Sequence, residues 1–281
     1  MLSVLKGAEG YLAQRGVEAP RLSAEHLLAK VLALSRLQLY LQHDRPLGAQ
    51  ERATLRDLVG RRGRHEPLHY LLGEIEFAGL CLQVDRHVLV PRPETEHLVT
   101  LAAELAPKGA RVVDLGTGSG AIALGLAHAR PDLVVLATDC SEAALAVAAR
   151  NAARTGLAGR VRFARGDWWE AVGAAERFDL LISNPPYVDP QRPELLADDV
   201  REWEPALALF GAVGDPASCY RAIAGGLAAH LAPGAWCLFE TGVGVADLAQ
   251  AALRSCAVLE SLELRLDLAG LPRYLLGRIG P

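Results

Sequence analysis

Apolar positions change their spacing three times along the chain, and each change marks a different kind of element. From Met1 to about Arg64, Leu22, Leu27, Leu28, Val31 and Leu32 recur near a 3.6-residue period, with Ser23 placed to cap a helix start. Leu37–Leu41 and Ala49–Arg62 continue the pattern and predict a small all-helical unit. Between Glu74 and Val90 the spacing of Phe77, Leu80, Leu82, Val84, Val88 and Val90 shifts toward two, predicting two short strands, with turns at Gly79 and Asp85-Arg86. Beyond Pro91 and Pro93, short apolar runs (111–115, 133–138, 161–164, 180–183 and 236–240) alternate with helical stretches such as 122–129 and 141–155. This alternation predicts a mostly parallel sheet covered on both faces. The final runs, 262–268 and 274–279, are separated only by Gly270-Leu271-Pro272, too short for a crossover helix, and therefore predict an antiparallel closing pair. The expected organisation is a helical domain over 1–73, a hairpin linker over 74–90 and an α/β domain over 91–281.

Composition narrows the setting. The chain has 281 residues and a net charge of −4, with residues 1–90 carrying +2 and 91–281 carrying −6. Such mild acidity argues against a protein that coats nucleic acid, where affinity comes from cationic side chains on phosphates. The run Arg52, Arg56, Arg61, Arg62 and Arg64 reads as a solvated helix face or part of a partner-docking surface. No apolar stretch approaches the ~18 residues of a membrane span, Met1–Gly16 does not read as a signal peptide, and the five cysteines include no CxxC pair. The expectation is a cytoplasmic, monomeric protein without membrane or stable nucleic-acid binding.

Three successive strand ends carry chemistry. Asp114-Leu115-Gly116-Thr117-Gly118-Ser119-Gly120 lies between the first strand of the α/β part and its first helix, where glycines permit a tight turn and close approach of a ligand to backbone. It lacks the GxGxxG spacing of a dinucleotide fingerprint and fits S-adenosylmethionine better, with another nucleotide or a structural turn as alternatives. Asp139 ends the next strand, where a carboxylate can accept both hydrogen bonds of a ribose diol; Ser141 is the better helix cap. Asp167 and Trp168 follow the third, suited to an adenine amino group and ring, or else a solvated acid and a core indole. After the fourth comes Asn184-Pro185-Pro186-Tyr187. Its prolines remove two N–H donors, so the Asn184 side-chain oxygen and the Pro185 carbonyl can each accept a hydrogen of a planar NH2 while Tyr187 stacks on the group.

Asn-Pro-Pro-Tyr with Asp-Leu-Gly-Thr-Gly-Ser-Gly resembles the amino-methyltransferases. Three segments, Glu66-Pro67-Leu68-His69-Tyr70-Leu71-Leu72-Gly73, Pro91-Arg92-Pro93-Glu94-Thr95-Glu96 and Arg201-Glu202-Trp203-Glu204-Pro205, narrow the resemblance to the HemK/PrmC family of peptide chain release factor glutamine N5-methyltransferases. The resemblance implies a seven-stranded, mostly parallel Rossmann-like methyltransferase sheet behind a helical N-terminal domain. It also implies S-adenosyl-L-methionine as methyl donor, S-adenosyl-L-homocysteine as product, and as substrate the glutamine of the Gly-Gly-Gln loop of class I release factors. Cofactor contacts are expected from Asp114, Gly116, Thr117, Gly118, Ser119, Gly120, Asp139, Asp167, Trp168 and Asn184. Asn184, Pro185, Pro186 and Tyr187 are expected to bind substrate, with Asn184, Pro185 and Tyr187 at the chemistry. A ribosomal-protein glutamine methyltransferase and a DNA adenine methyltransferase share these motifs, though the latter would want a basic groove; a non-catalytic nucleotide-binding module is a rival of another class. His65-Glu66-Pro67-Leu68-His69 matches the zinc-protease pattern, but Pro67 interrupts the helix that pattern requires, so no metal is expected.

Overall fold

The computed structural model describes residues 1–281. The chain divides into two compact units, one of residues 1–74 with 197–203, the other of residues 75–196 with 204–281. No helix is long and apolar enough to cross a membrane.

The first unit contains α1 (Leu2–Gln14), α2 (Pro20–Leu32), α3 (Arg36–Leu41), α4 (Ala49–Arg62) and α5 (Leu68–Leu72) around a core that includes Leu12, Leu27, Leu28, Leu39 and Leu55. Ser23 does not cap α2. Pro20 takes the first helical position, where its missing N–H costs nothing, so Ser23 falls inside the helix and is buried. The cap of this kind is at Ser35, whose hydroxyl accepts from the Gln38 N–H while the Gln38 side chain accepts from the Ser35 N–H. Glu25, buried on α2, is satisfied by Arg21, Arg36 and Tyr40. The basic run is not uniformly solvated. Arg52, Arg56 and Arg64 are exposed, but Arg61 grips Glu66, and Arg62 is buried, donating to the Glu66 carbonyl at 2.9 Å and reaching Asp199 at 3.4 Å.

The second unit opens with the hairpin β1 (Glu74–Phe77) and β2 (Leu80–Gln83), whose Phe77, Leu80 and Leu82 join the core of the large sheet. The alternation of Val84, Val88 and Val90 is not a strand: these side chains are buried, but residues 84–92 run as an irregular strap. Then come α6 (Pro93–Leu105), β3 (Arg111–Leu115), α7 (Ala121–Ala129), β4 (Val134–Asp139), α8 (Glu142–Arg154), β5 (Val161–Arg165) and β6 (Phe178–Ser183). The short helix α9 (Asp198–Trp203) groups with the first unit, and α10 (Ala206–Leu209), α11 (Ser218–Ala224), α12 (Leu227–His230), β7 (Leu231–Glu240), α13 (Ala246–Arg254), β8 (Leu259–Leu266) and β9 (Pro272–Ile279) complete the chain.

The sheet has the order β5-β4-β3-β6-β7-β9-β8, parallel from β5 to β7 and antiparallel at β7–β9 and β9–β8. Alternate residues of the central strand feed opposite layers: Val112 packs with α6 and α7, Val113 and Leu115 with α11 and α13. From β3 the chain winds outward to β4 and β5, then returns to place β6 on the other flank of β3. Strand order therefore reverses between β3 and β6, and open α/β sheets bind ligands in the crevice at the carboxyl ends of such strands.

Candidate active site

The loop after β3 is held by its neighbours. The N–H groups of Gly116 and Thr117 both donate to the Thr138 carbonyl at 2.9 Å, and the Ser183 hydroxyl donates to the Leu115 carbonyl at 2.6 Å, tying together the ends of β3, β4 and β6. Gly116, Gly118 and Gly120 have φ of +77°, +56° and +81°, a left-handed region that disfavours other residues. At Gly120 a side chain would also press on Ala148 of α8. Behind the loop, the buried Asn151 amide donates to the carbonyls of Ser119 (2.9 Å) and Gln83 (3.0 Å) and accepts from the Gln83 N–H (2.6 Å).

Above these strand ends lies a cavity of ≈ 280 Å³. It gathers Gly116, Thr117, Gly118, Ser119, Asp139, Asp167, Trp168, Asn184 and Pro186 from the expected set. Asp139 accepts from the N–H groups of Gly118 (2.9 Å) and Ser141 (2.8 Å), and the Ser141 hydroxyl caps α8. Burial raises the pKa of the Asp139 carboxyl, opposed by those N–H groups and that of Cys140. Asp167 is exposed at the rim, and Trp168 adopts φ +46° while its ring edge lies over Gly116. A non-glycine residue in that conformation carries strain of about 1–3 kcal/mol, of the kind found at ligand clamps.

Four expected residues lie off the cavity wall. Asp114 is fully buried beneath the loop, where its carboxylate accepts from the Thr117 hydroxyl at 2.6 Å; burial pushes its pKa up to about 7, opposed by that hydroxyl and the Ala123 N–H. Gly120 begins α7. Pro185 is buried, and the Tyr187 ring lies against Gly242, where any side chain would collide with it. The Asn184 side chain and the Pro185 carbonyl receive no hydrogen bond from the protein. Both residues lie just beyond the end of β6, the strand paired with β3.

The cavity also contains residues that strand-end motifs do not reveal. His87, Leu89, Pro91 and Thr95 come from the strap and the start of α6, Cys140 and Ser141 from the turn after β4, and Leu207, Ala208 and Phe210 from the segment after Glu204. Glu204 fixes that segment, accepting from Arg92 at 2.6 Å and the Val90 N–H at 3.1 Å. Thr95 donates to Glu240, a buried carboxyl at the end of β7, at 2.7 Å. His65 follows α4 in a left-handed conformation and His69 lies on α5, so the two share no continuous helix.

Comparison with known proteins agrees with this anatomy. Residues 3–73 match the model of the PrmC N-terminal domain and residues 95–200 that of the methyltransferase small domain. A crystal structure of a methyltransferase from Pyrococcus furiosus shares the fold, with a TM-score of 0.54 and 17% identity over 72% of this chain and 90% of that one. The release factor glutamine methyltransferase of Geobacter sulfurreducens is 42% identical over 99% of this chain and 96% of its own length. That of Bordetella pertussis is 44% identical over 90% and 93%, and with relatives this similar over nearly their full length the chain belongs to the release factor glutamine methyltransferase family.

Proposed function

We propose that the protein transfers a methyl group from S-adenosyl-L-methionine to the side-chain amide nitrogen (N5) of the glutamine in the Gly-Gly-Gln motif of class I peptide chain release factors, releasing S-adenosyl-L-homocysteine. The observation that carries this reading is the Asn184 side chain on the cavity wall, next to the Pro185 carbonyl, both without a hydrogen bond from the protein, at the switch point between β3 and β6. The donor set suits the cofactor: Asp139 for the ribose diol, Asp167 and Trp168 for the adenine, and the Gly116–Gly120 backbone for close approach. When bound, S-adenosylmethionine supplies an electrophilic methyl on a sulfonium whose departure as a thioether is strongly favourable.

An amide nitrogen is a poor nucleophile because its lone pair is delocalised, so the protein's contribution is position and electrostatics. Asn184 and Pro185 each accept one amide hydrogen, which fixes the plane of the group and stabilises the positive charge that grows on nitrogen. Tyr187, braced by Gly242, supports the planar group, and the surplus proton leaves to solvent. A glutamate side chain would leave both acceptors facing a carboxylate, which gives the selectivity for glutamine. The first unit is a docking domain for the folded release factor, and the enzyme works as a monomer in the cytoplasm.

The test is incubation with methyl-labelled cofactor and a purified class I release factor, followed by peptide mass mapping. Label on the Gly-Gly-Gln glutamine supports the reading, and failure to transfer any label overturns it. Methylation of an isolated Gly-Gly-Gln peptide as efficient as that of the whole factor would remove the docking role.

A further inference from the structure

The strap lines the same cavity as the glycine loop and is anchored on either side. At one end the Asp85 carboxylate accepts from Arg150 of α8 at 3.0 Å; at the other Thr95 is tied to Glu240 at the end of β7. Between them His87 lines the cavity. Asp85 holds this residue twice, accepting from its backbone N–H at 3.0 Å and pairing with ring Nδ1 at 2.8 Å. Nδ1 therefore carries a proton, and Nε2 has no partner within the protein.

The charge of the cavity wall gives His87 a further significance. Asp139 and Asp167 face the cavity, but none of its lining residues is lysine or arginine, so His87 is the single side chain there that can become cationic. Arg92, close by in the strap, is committed to Glu204. The amino-acid end of S-adenosylmethionine ends in a carboxylate, which needs donors and gains most from a charged one. We propose that His87, its ring oriented by Asp85, which Arg150 in turn holds in place, presents Nε2 to that carboxylate and so recognises the amino-acid end of the cofactor, with a charge-assisted hydrogen bond when both ring nitrogens carry protons. This inference rests on the reading of the cavity as an S-adenosylmethionine site.

The test separates the two ends of the ligand. S-adenosylhomocysteine and 5′-methylthioadenosine, which lacks the amino-acid end, are titrated calorimetrically into the wild-type protein and into His87→Ala and His87→Lys in the same mildly acidic buffer. His87→Ala is expected to weaken S-adenosylhomocysteine about 10- to 100-fold, the size of a charge-assisted hydrogen bond, and 5′-methylthioadenosine less than about twofold; His87→Lys recovers most of the loss. Equal weakening of both ligands, or of neither, in His87→Ala overturns the role of His87 while leaving the cofactor site in place. A wild-type protein that binds neither ligand overturns the cofactor reading itself.

Discussion

Glu240 offers a quantitative test of how the site is built. Its carboxyl, 3% exposed at the end of β7, accepts one hydrogen bond from Thr95 and has no cation within ion-pair distance. Burial pushes its pKa from 4.5 up to about 7, opposed by the Thr95 hydroxyl. Because the folded pKa lies above the unfolded one, the native state holds the proton more tightly. The resulting stability is fully present below pH 4.5 and is lost as pH rises through about 7. The gap between 4.5 and about 7, at ~1.36 kcal/mol per pH unit, amounts to about 3 kcal/mol. Glu240→Gln keeps an acceptor for Thr95 and removes the ionisation. Urea unfolding followed by tryptophan fluorescence, across about pH 4.5 to 8 at constant ionic strength, should find the variant within ~1 kcal/mol of wild type at the acid end and gaining up to ~3 kcal/mol by the alkaline end. Asp114, also raised to about 7, bends both profiles alike and cancels in their difference. Parallel profiles, or a variant that loses ground as pH rises, would refute the argument.

Other consequences are equally direct. Asn151→Ala removes three hydrogen bonds and strands the Gln83 N–H and Ser119 carbonyl, so denaturant unfolding should show a loss of about 2–4 kcal/mol, with weaker S-adenosylhomocysteine binding as the loop after β3 loosens. Gly242→Ala displaces the Tyr187 ring; methyl transfer should fall at least about tenfold while calorimetric cofactor affinity stays within about threefold. Asp139→Ala should weaken S-adenosylhomocysteine about 10- to 100-fold, as expected for lost charge-assisted hydrogen bonds, a loss the same titration reads.

Much of this architecture is written locally. Glycines at 116, 118 and 120, Asp139 at a strand end and two prolines after Asn184 each impose their geometry through neighbouring backbone, which is why strand-by-strand reading reached them. Residues whose importance depends on distant partners stayed hidden: Asn151 meets Ser119 and Gln83, Thr95 meets Glu240, and His87 reaches the cavity because Arg150 anchors Asp85. The helix start at Pro20 displaced the cap expected at Ser23, since proline at the first helical position competes with a serine three residues later. The apolar run 236–240 is only the second half of β7, which begins at Leu231 and resumes its pairing with β6 after an irregularity between Phe178 and Leu180. Tyr187 was legible as part of its motif, but its bracing against Gly242 depends on a turn 55 positions later in the chain.

Asn184 orients the glutamine amide in this mechanism and does not chiefly hold the cofactor. Asn184→Ala, measured with a purified release factor under single-turnover conditions alongside S-adenosylhomocysteine titration, should therefore lose methyl transfer by at least about 10³-fold while cofactor affinity stays within about tenfold of wild type. Near-normal turnover, or a loss of activity matched by an equal loss of cofactor binding, would show that Asn184 does not play this part.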